Sequence, residues 1–201
     1  IVDVGGESTR PGAEDVPEAE ELGRVVPVVA ALSDAGIVVS VDTSTPAVAE
    51  AAIAAGAEIV NDVTALATPG MAEVCAATGV GVVLMHMQGT PRTMQHDPQY
   101  GDVVADVTDY LVARAGAAQE AGIALDRICL DPGIGFGKTG EHNLRLLADL
   151  ERAMASEDPA PGALPQRVSL FGLTAMAPVY ARLLAGLANH TGDRVDHRGW
   201  L

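Results

Sequence analysis

The stretch Ile1-Val2-Asp3-Val4-Gly5-Gly6-Glu7-Ser8-Thr9-Arg10-Pro11-Gly12 sets the pattern from which the fold is read. A short run with strand character ends at a glycine pair, and the glycines permit a sharp exit from the strand. Directly beyond it stand the Ser8 and Thr9 hydroxyls and the Arg10 guanidinium. A fork of Arg donors matches phosphate oxygens, so this exit reads as half of an anion site. The bland alternative is a solvated turn whose Arg10 pairs with Glu14.

The same unit recurs along the chain. Residues 17–35 read as a helix stopped at Gly36, and Ile37–Val41 as the next strand. Pro46 opens a second helix, with Thr43, Ser44 and Thr45 as possible caps, and Gly56 stops it. Glu58–Val60 is a short strand, Pro69–Thr78 a helix, and Val80–Met85 an apolar strand. The Gly- and Pro-bearing segment 87–101 reads as a long loop, a length that often carries function. Asp102–Ala121 is a helix ending at Gly122, Arg127–Leu130 a strand, and Glu141–Ala155 a helix.

Strands alternating with helices through short links predict a parallel α/β fold, either a (β/α)8 barrel or a doubly wound sheet. The strand ends favour the barrel. Polar residues follow every strand: Glu7-Ser8-Thr9-Arg10, then Asp42, then Asn61-Asp62, then His86, then Asp131. In a barrel those ends converge on one mouth, whereas an open sheet needs them only beside its switch point.

Composition bounds the function. Of 201 residues, 48% are hydrophobic and only 3% aromatic, so the core is built from Val, Ile, Leu and Ala, as suits buried parallel strands. Twelve basic against 27 acidic side chains give a formal charge of −15. That charge argues against nonspecific binding to nucleic acid or anionic membrane. No apolar run reaches the ~18 residues of a membrane span, and no basic segment followed by an apolar one marks a signal peptide. Cys75 and Cys129 read as small buried hydrophobes in a reducing compartment, which points to the cytoplasm.

Asp42, Asn61 and Asp131 form the second candidate group. A carboxylate accepts two N–H bonds from the edge of a heterocycle such as a pterin, and an Asn both gives and accepts. Met85 suits a flat apolar slot. His86, alone between two methionines, reads more readily as a structural group than as a catalyst. No His/Cys/Asp/Glu cluster has metal-site spacing, so no metal ligands are assigned within this chain. Gly133-Ile134-Gly135-Phe136-Gly137-Lys138-Thr139 looks like a phosphate loop, but Pro132 stands where that motif needs its first glycine.

Taken together, these segments resemble dihydropteroate synthase. The matching stretches are Asp3–Gly12, Ser40-Val41-Asp42-Thr43, Gly56-Ala57 with Val60-Asn61-Asp62-Val63, Met85–Pro91 and Leu130–Lys138, across residues 1 to about 150. The resemblance implies a (β/α)8 barrel that joins 6-hydroxymethyl-7,8-dihydropterin diphosphate to 4-aminobenzoate and releases diphosphate. It also implies Mg2+ and, for a complete barrel, a homodimer. Asp42, Asn61 and Asp131 would hold the pterin edge, and Met85 and Phe136 would flank its ring. Thr9 and Arg10 would contact the leaving diphosphate, and Pro11 with Phe136 the aminobenzoate. Arg10, Asp42 and Asp131 are the catalytic candidates that follow. Diphosphate leaves as charge builds on its oxygens, which cationic and N–H donors stabilise.

Two departures shape the remaining expectations. The family's earlier strand, with an Asn that helps bind Mg2+, has no counterpart before Ile1. From about residue 154 the likeness fails, and residues 154–201 read as a divergent tail on a single barrel domain spanning 1–201. A barrel without its first and last strands exposes two edges, so this chain alone is expected to be poorly folded or inactive. Two further readings compete. One is a methyltetrahydrofolate-binding module of a corrinoid methyltransferase, which has no diphosphate to release. The other is a non-catalytic paralogue that binds pterin without turnover.

Overall fold

The computed structural model describes residues 1–10 and 14–155. They fall in two compact units, Ile1–Thr139 and one that begins at Gly140. The first holds a five-stranded parallel sheet: β1 (Val2–Gly5), β2 (Val39–Asp42), β3 (Ile59–Asp62), β4 (Gly81–Met85) and β5 (Ile128–Asp131). Its helices are α1 (Glu18–Asp34), α2 (Pro46–Ala54), α3 (Met71–Thr78) and α4 (Val103–Glu120). In the second unit the described element is α5 (Gly140–Ala155). No described helix is long and apolar enough to cross a membrane.

The spatial strand order is β1-β2-β3-β4-β5, every pair parallel. A doubly wound sheet reverses direction at its switch point, whereas a barrel adds each strand beside the last. The sheet progresses as a barrel does, without closing among the described residues.

Strand parity divides the sheet into two faces. Val39 and Val41 on β2, Val60 on β3 and Val82 and Leu84 on β4 are buried in one cluster with Val25, Val29, Val48 and Ala52 from the helices. Helix α1 turns Glu21, Val25 and Val29, spaced by four, toward this layer. Each fully buried Val contributes roughly 1.5 kcal/mol or more. The other face carries the residues between them: Asp3, Ser40, Asp42, Asn61, Val83, Met85, Cys129 and Asp131. Registers fix this, with Asp3 beside Ser40, Asp42 beside Asn61, Asn61 beside Val83, Val83 beside Cys129 and Met85 beside Asp131.

The expected elements are present with shifted ends. The second strand begins at Val39, not Ile37, and the third runs Ile59–Asp62. Both shift because the paired backbone, and not the apolar run, sets a strand's limits. Helix α3 begins at Met71 instead of Pro69, since Gly70 at its N-cap holds φ +91° and cannot continue a right-handed turn. A 3-10 turn at Leu125–Arg127 precedes β5. Helix α4 begins at Val103, and Asp102 caps it, accepting from Val104 N at 3.0 Å and Ala105 N at 3.3 Å. Cys75 is buried, as expected, and Cys129 is half-buried.

Candidate functional site

The polar face of the sheet gathers side chains that are distant in sequence. Asn61 Nδ2 donates to Asp3 Oδ2 at 3.1 Å. The Asp42 carboxylate lies over Gly5, where an added Cβ would stand 3.5 Å from Asp42 Oδ2. Asp42 Oδ1 and Ser40 Oγ are buried and have no hydrogen-bond partner among the described residues. A buried acceptor without a donor costs on the order of 1–3 kcal/mol unless a ligand or water supplies one. That deficit marks the centre of the site.

Burial, then the negative charges of Asp3, Asp62, Glu21 and Glu7, push the Asp42 carboxyl up to about 7. An N–H-rich ligand edge would relieve both effects by donating to the ionised form. Behind it, the buried Glu21 Oε1 accepts from Thr43 Oγ1 at 2.7 Å, and Thr43 N donates to Asn61 O at 3.1 Å. The end of β2 is thus fixed from two sides. Gly6 is required here, because a Cβ would come within 2.8 Å of Glu21 Cγ and 2.9 Å of Val25 Cγ2.

Asn61 and Asp62 separate by parity. Asn61 joins the polar face. Asp62 is buried on the opposite face, where its carboxylate accepts from Thr64 N and Thr64 Oγ1 at 2.8 Å and from Leu66 N at 2.9 Å. Burial raises its proton affinity, and these bonds offset part of that. Asp62 therefore shapes the β3 exit and does not face the site.

Asp131 pairs with Met85 at the ends of β5 and β4, and its Oδ1 accepts from Gly133 N at 2.7 Å. Burial raises its pKa, against that bond and the charge of Lys138. Beyond it the chain turns through three left-handed glycines, Gly133 (φ +65°), Gly135 (φ +88°) and Gly137 (φ +60°). The turn lies on the backbone after β4: a Cβ at Gly137 would stand 2.8 Å from Gln88 O. Phe136 is half-buried on this turn, and Phe136 N donates to Gly133 O at 3.0 Å.

Lys138 closes the turn and is not a phosphate ligand. It is 3% exposed. Its Nζ reaches His86 Nδ1 at 2.9 Å, His86 O at 3.2 Å, Gly133 O at 3.0 Å and Phe136 O at 2.9 Å. Burial brings the ammonium down to about 8, partly opposed by Asp131. His86 is driven down to about 4 by burial and by Lys138, so its ring is neutral at pH 7 and Nδ1 accepts. The ring meets Tyr110 edge-on at 4.9 Å and Tyr100 at 5.9 Å. His86 is a structural group, as its setting in the sequence suggested. Lys138 was legible there only as part of an imperfect phosphate motif, and Asp3 carried no separate signal.

The loop after β1 is tethered by Glu7 Oε1, which accepts from Val16 N at 3.0 Å. Thr9 is half-buried and Arg10 is exposed. Among the described residues the Arg10 guanidinium has no partner, so no Arg10–Glu14 pair forms there; Arg10 N donates to Ser8 Oγ at 3.4 Å. Pro11 lies outside the described residues, as does nearly all of 154–201. The loop after β4 is held by its own hydrogen bonds. The Gln88 amide both donates to Gln99 O at 2.8 Å and accepts from Gln99 N at 2.9 Å. Arg92 pairs with Asp15 at 2.8 Å, joining the two loops through an exposed ion pair.

Among the described residues no group of three His, Cys, Asp or Glu side chains is placed to hold a metal ion. Asp3, Asp42, Asn61 and Asp131 instead form a set of acceptors with one amide, on the sheet face that also carries Met85. That set suits a flat heterocycle with several N–H groups at its edge.

Comparison with known proteins identifies the family of the chain. The family model described as pterin binding enzyme matches residues 1–191. Dihydropteroate synthase of Escherichia coli is 52% identical over 151 residues, covering 75% of this chain and 54% of that protein. The crystal structure of Burkholderia cenocepacia dihydropteroate synthase complexed with 7,8-dihydropteroate is 51% identical. Its TM-score is 0.70, with 74% of this chain and 54% of that one covered. Dihydropteroate synthase of Xanthomonas albilineans with 4-aminobenzoic acid is 48% identical with a TM-score of 0.69, over 78% of this chain and 55% of that one. The chain thus spans about half the length of each of these relatives.

Proposed function

The chain belongs to the pterin-binding enzyme family, and from that premise we propose that this protein is a transferase of folate synthesis. It condenses 6-hydroxymethyl-7,8-dihydropterin diphosphate with 4-aminobenzoate, giving 7,8-dihydropteroate and diphosphate. The observation that carries the reading is the buried, unpartnered Asp42 Oδ1 beside Asn61 and Asp3. Asp42 and Asp131 accept from the N–H groups of the pterin edge, and Asn61 both gives and accepts. Met85 and Phe136 flank the ring.

Thr9 and Arg10 meet the diphosphate on its departure, where charge accumulates on the leaving oxygens. Pro11 and Phe136 contact the aminobenzoate. The aromatic amine is neutral at pH 7 and attacks the exposed methylene with little need of a base. Mg2+ belongs to this reading as the resemblance implies it, where it would neutralise charge on the departing diphosphate. The cytoplasmic location expected from the cysteines and the homodimer implied by the resemblance belong to the same proposal.

Ligand binding to the purified protein tests it. Arg10→Ala should weaken binding of the pterin diphosphate about ten-fold or more, the worth of one charge-assisted hydrogen bond. Binding of 6-hydroxymethylpterin should change less than two-fold. Equal losses for both ligands assign Arg10 to structure, and preference for methyltetrahydrofolate over the pterin diphosphate sinks the synthase reading.

A further inference from the structure

The Lys138 ammonium stands out as a buried charge that hydrogen-bonds to no charged group among the described residues. All four of its acceptors belong to two segments. His86 Nδ1 and His86 O lie just past the end of β4, and Gly133 O and Phe136 O lie on the turn after β5. That turn is costly to hold, since three glycines sit in left-handed backbone and Gly133 packs against the His86 carbonyl. Its two functional members are Asp131, whose carboxylate is anchored by Gly133 N, and Phe136, whose carbonyl Lys138 holds.

We propose that Lys138 is a positioning residue of the pterin site: its ammonium ties the end of β4 to the β5 turn and so presents Asp131 and Phe136 to the ligand. The assignment rests on the pterin reading above. A bare apolar side chain could fill the same space, but it would take this donor from the His86 and Phe136 acceptors and leave Gly133 O with Phe136 N alone. The ammonium also supplies positive charge near Asp131, which favours its ionised, accepting form.

The charge component separates positioning from plain structural support. The titratable groups around Asp131 are Cys129 on β5 and Lys138 on the turn. His86 follows at the end of β4, with Tyr100, Tyr110 and the carboxylate of Asp106 behind its ring. Burial pushes the Cys129 thiol and both tyrosines up, and burial with Lys138 pushes His86 down to about 4. Removing the ammonium raises the pKa of Asp131 further, so a charge-dependent loss grows toward acid. Lys138 itself loses its proton near pH 8, so the difference between wild type and a neutral variant shrinks toward alkaline pH.

Binding of 6-hydroxymethylpterin to the purified protein, by calorimetry at pH 6 and pH 9, reads this directly. Lys138→Met should bind at least ten-fold more weakly at pH 6, with the ratio to wild type falling several-fold by pH 9. Lys138→Arg keeps the charge and should recover most of the affinity at pH 6, which also covers the case in which Lys138→Met does not fold. Affinity within two-fold of wild type in folded Lys138→Met overturns the proposal. So does a loss of the same size at both pH values that folded Lys138→Arg shares. A wild-type protein with no pterin affinity instead removes the pterin reading itself, and this inference with it.

Discussion

The Asn61 amide donates to Asp3 Oδ2 at 3.1 Å, although 58 residues separate them in the chain. Asp42, register partner of Asn61, lies between their strands and takes part of its elevated proton affinity from Asp3. Asp3→Asn should therefore lower the pKa of Asp42 from about 7 toward the ordinary carboxylate range. Carbon-13 NMR of the labelled carboxyl through a pH titration measures it. An unchanged Asp42 titration would mean that burial and the other acidic neighbours, not Asp3, set the shift.

Asp42 carries a second prediction, about stability. Its folded pKa is raised above the unfolded value of 3.8, so the native state favours the protonated form. The stabilisation from that proton is full below about pH 4 and is lost as pH rises through about 7. Asp42→Asn removes the titration. It should stabilise the protein at pH 8 by at most about 4 kcal/mol, from roughly 1.4 kcal/mol per pKa unit, and change stability little at pH 4. Denaturant unfolding at the two pH values reads the difference. Pterin affinity should fall in the same variant, since an amide cannot serve as a doubly accepting carboxylate.

Adjacent residues on β3 should behave oppositely. Asn61→Ala should weaken pterin binding with a stability loss of about 1 kcal/mol, the worth of one part-exposed hydrogen bond. Asp62→Ala leaves Thr64 N and Leu66 N without their acceptor and should cost about 2–4 kcal/mol. Its effect on pterin affinity, measured well below the unfolding midpoint, should be small. Comparable affinity losses from both variants would place Asp62 in the site after all.

The β5 turn offers a matched pair of glycines. Gly133 has φ +65°, and a Cβ there would strike the His86 carbonyl. Gly135 has φ +88° but open space around it. Gly133→Ala should cost about 3 kcal/mol or more, and Gly135→Ala only the left-handed penalty of about 1 kcal/mol. Equilibrium unfolding of the two variants tests the ranking.

Local chemistry made the order of strands and helices legible. Apolar runs of strand length, glycine stops and helical periodicity are short-range signals, and each expected element of 1–155 lies within a few residues of its place. The polar strand ends also marked Asp42, Asn61 and Asp131 as companions, because a barrel must bring such ends to one rim. The sequence alone could not decide which of two neighbouring polar residues faces inward. Asn61 and Asp62 look equivalent until the registers place Val60 and Val82 against the helices and Asn61 on the opposite face. Nor could it distinguish a lysine that grips phosphate from one that grips protein carbonyls. Lys138 differs from a phosphate-loop lysine only in where the His86 and Gly133 acceptors stand, and those come from segments 52 and 5 residues away. Element identity is set by neighbours in the chain, whereas the facing of a side chain and the partners of a buried charge are set by strand pairing.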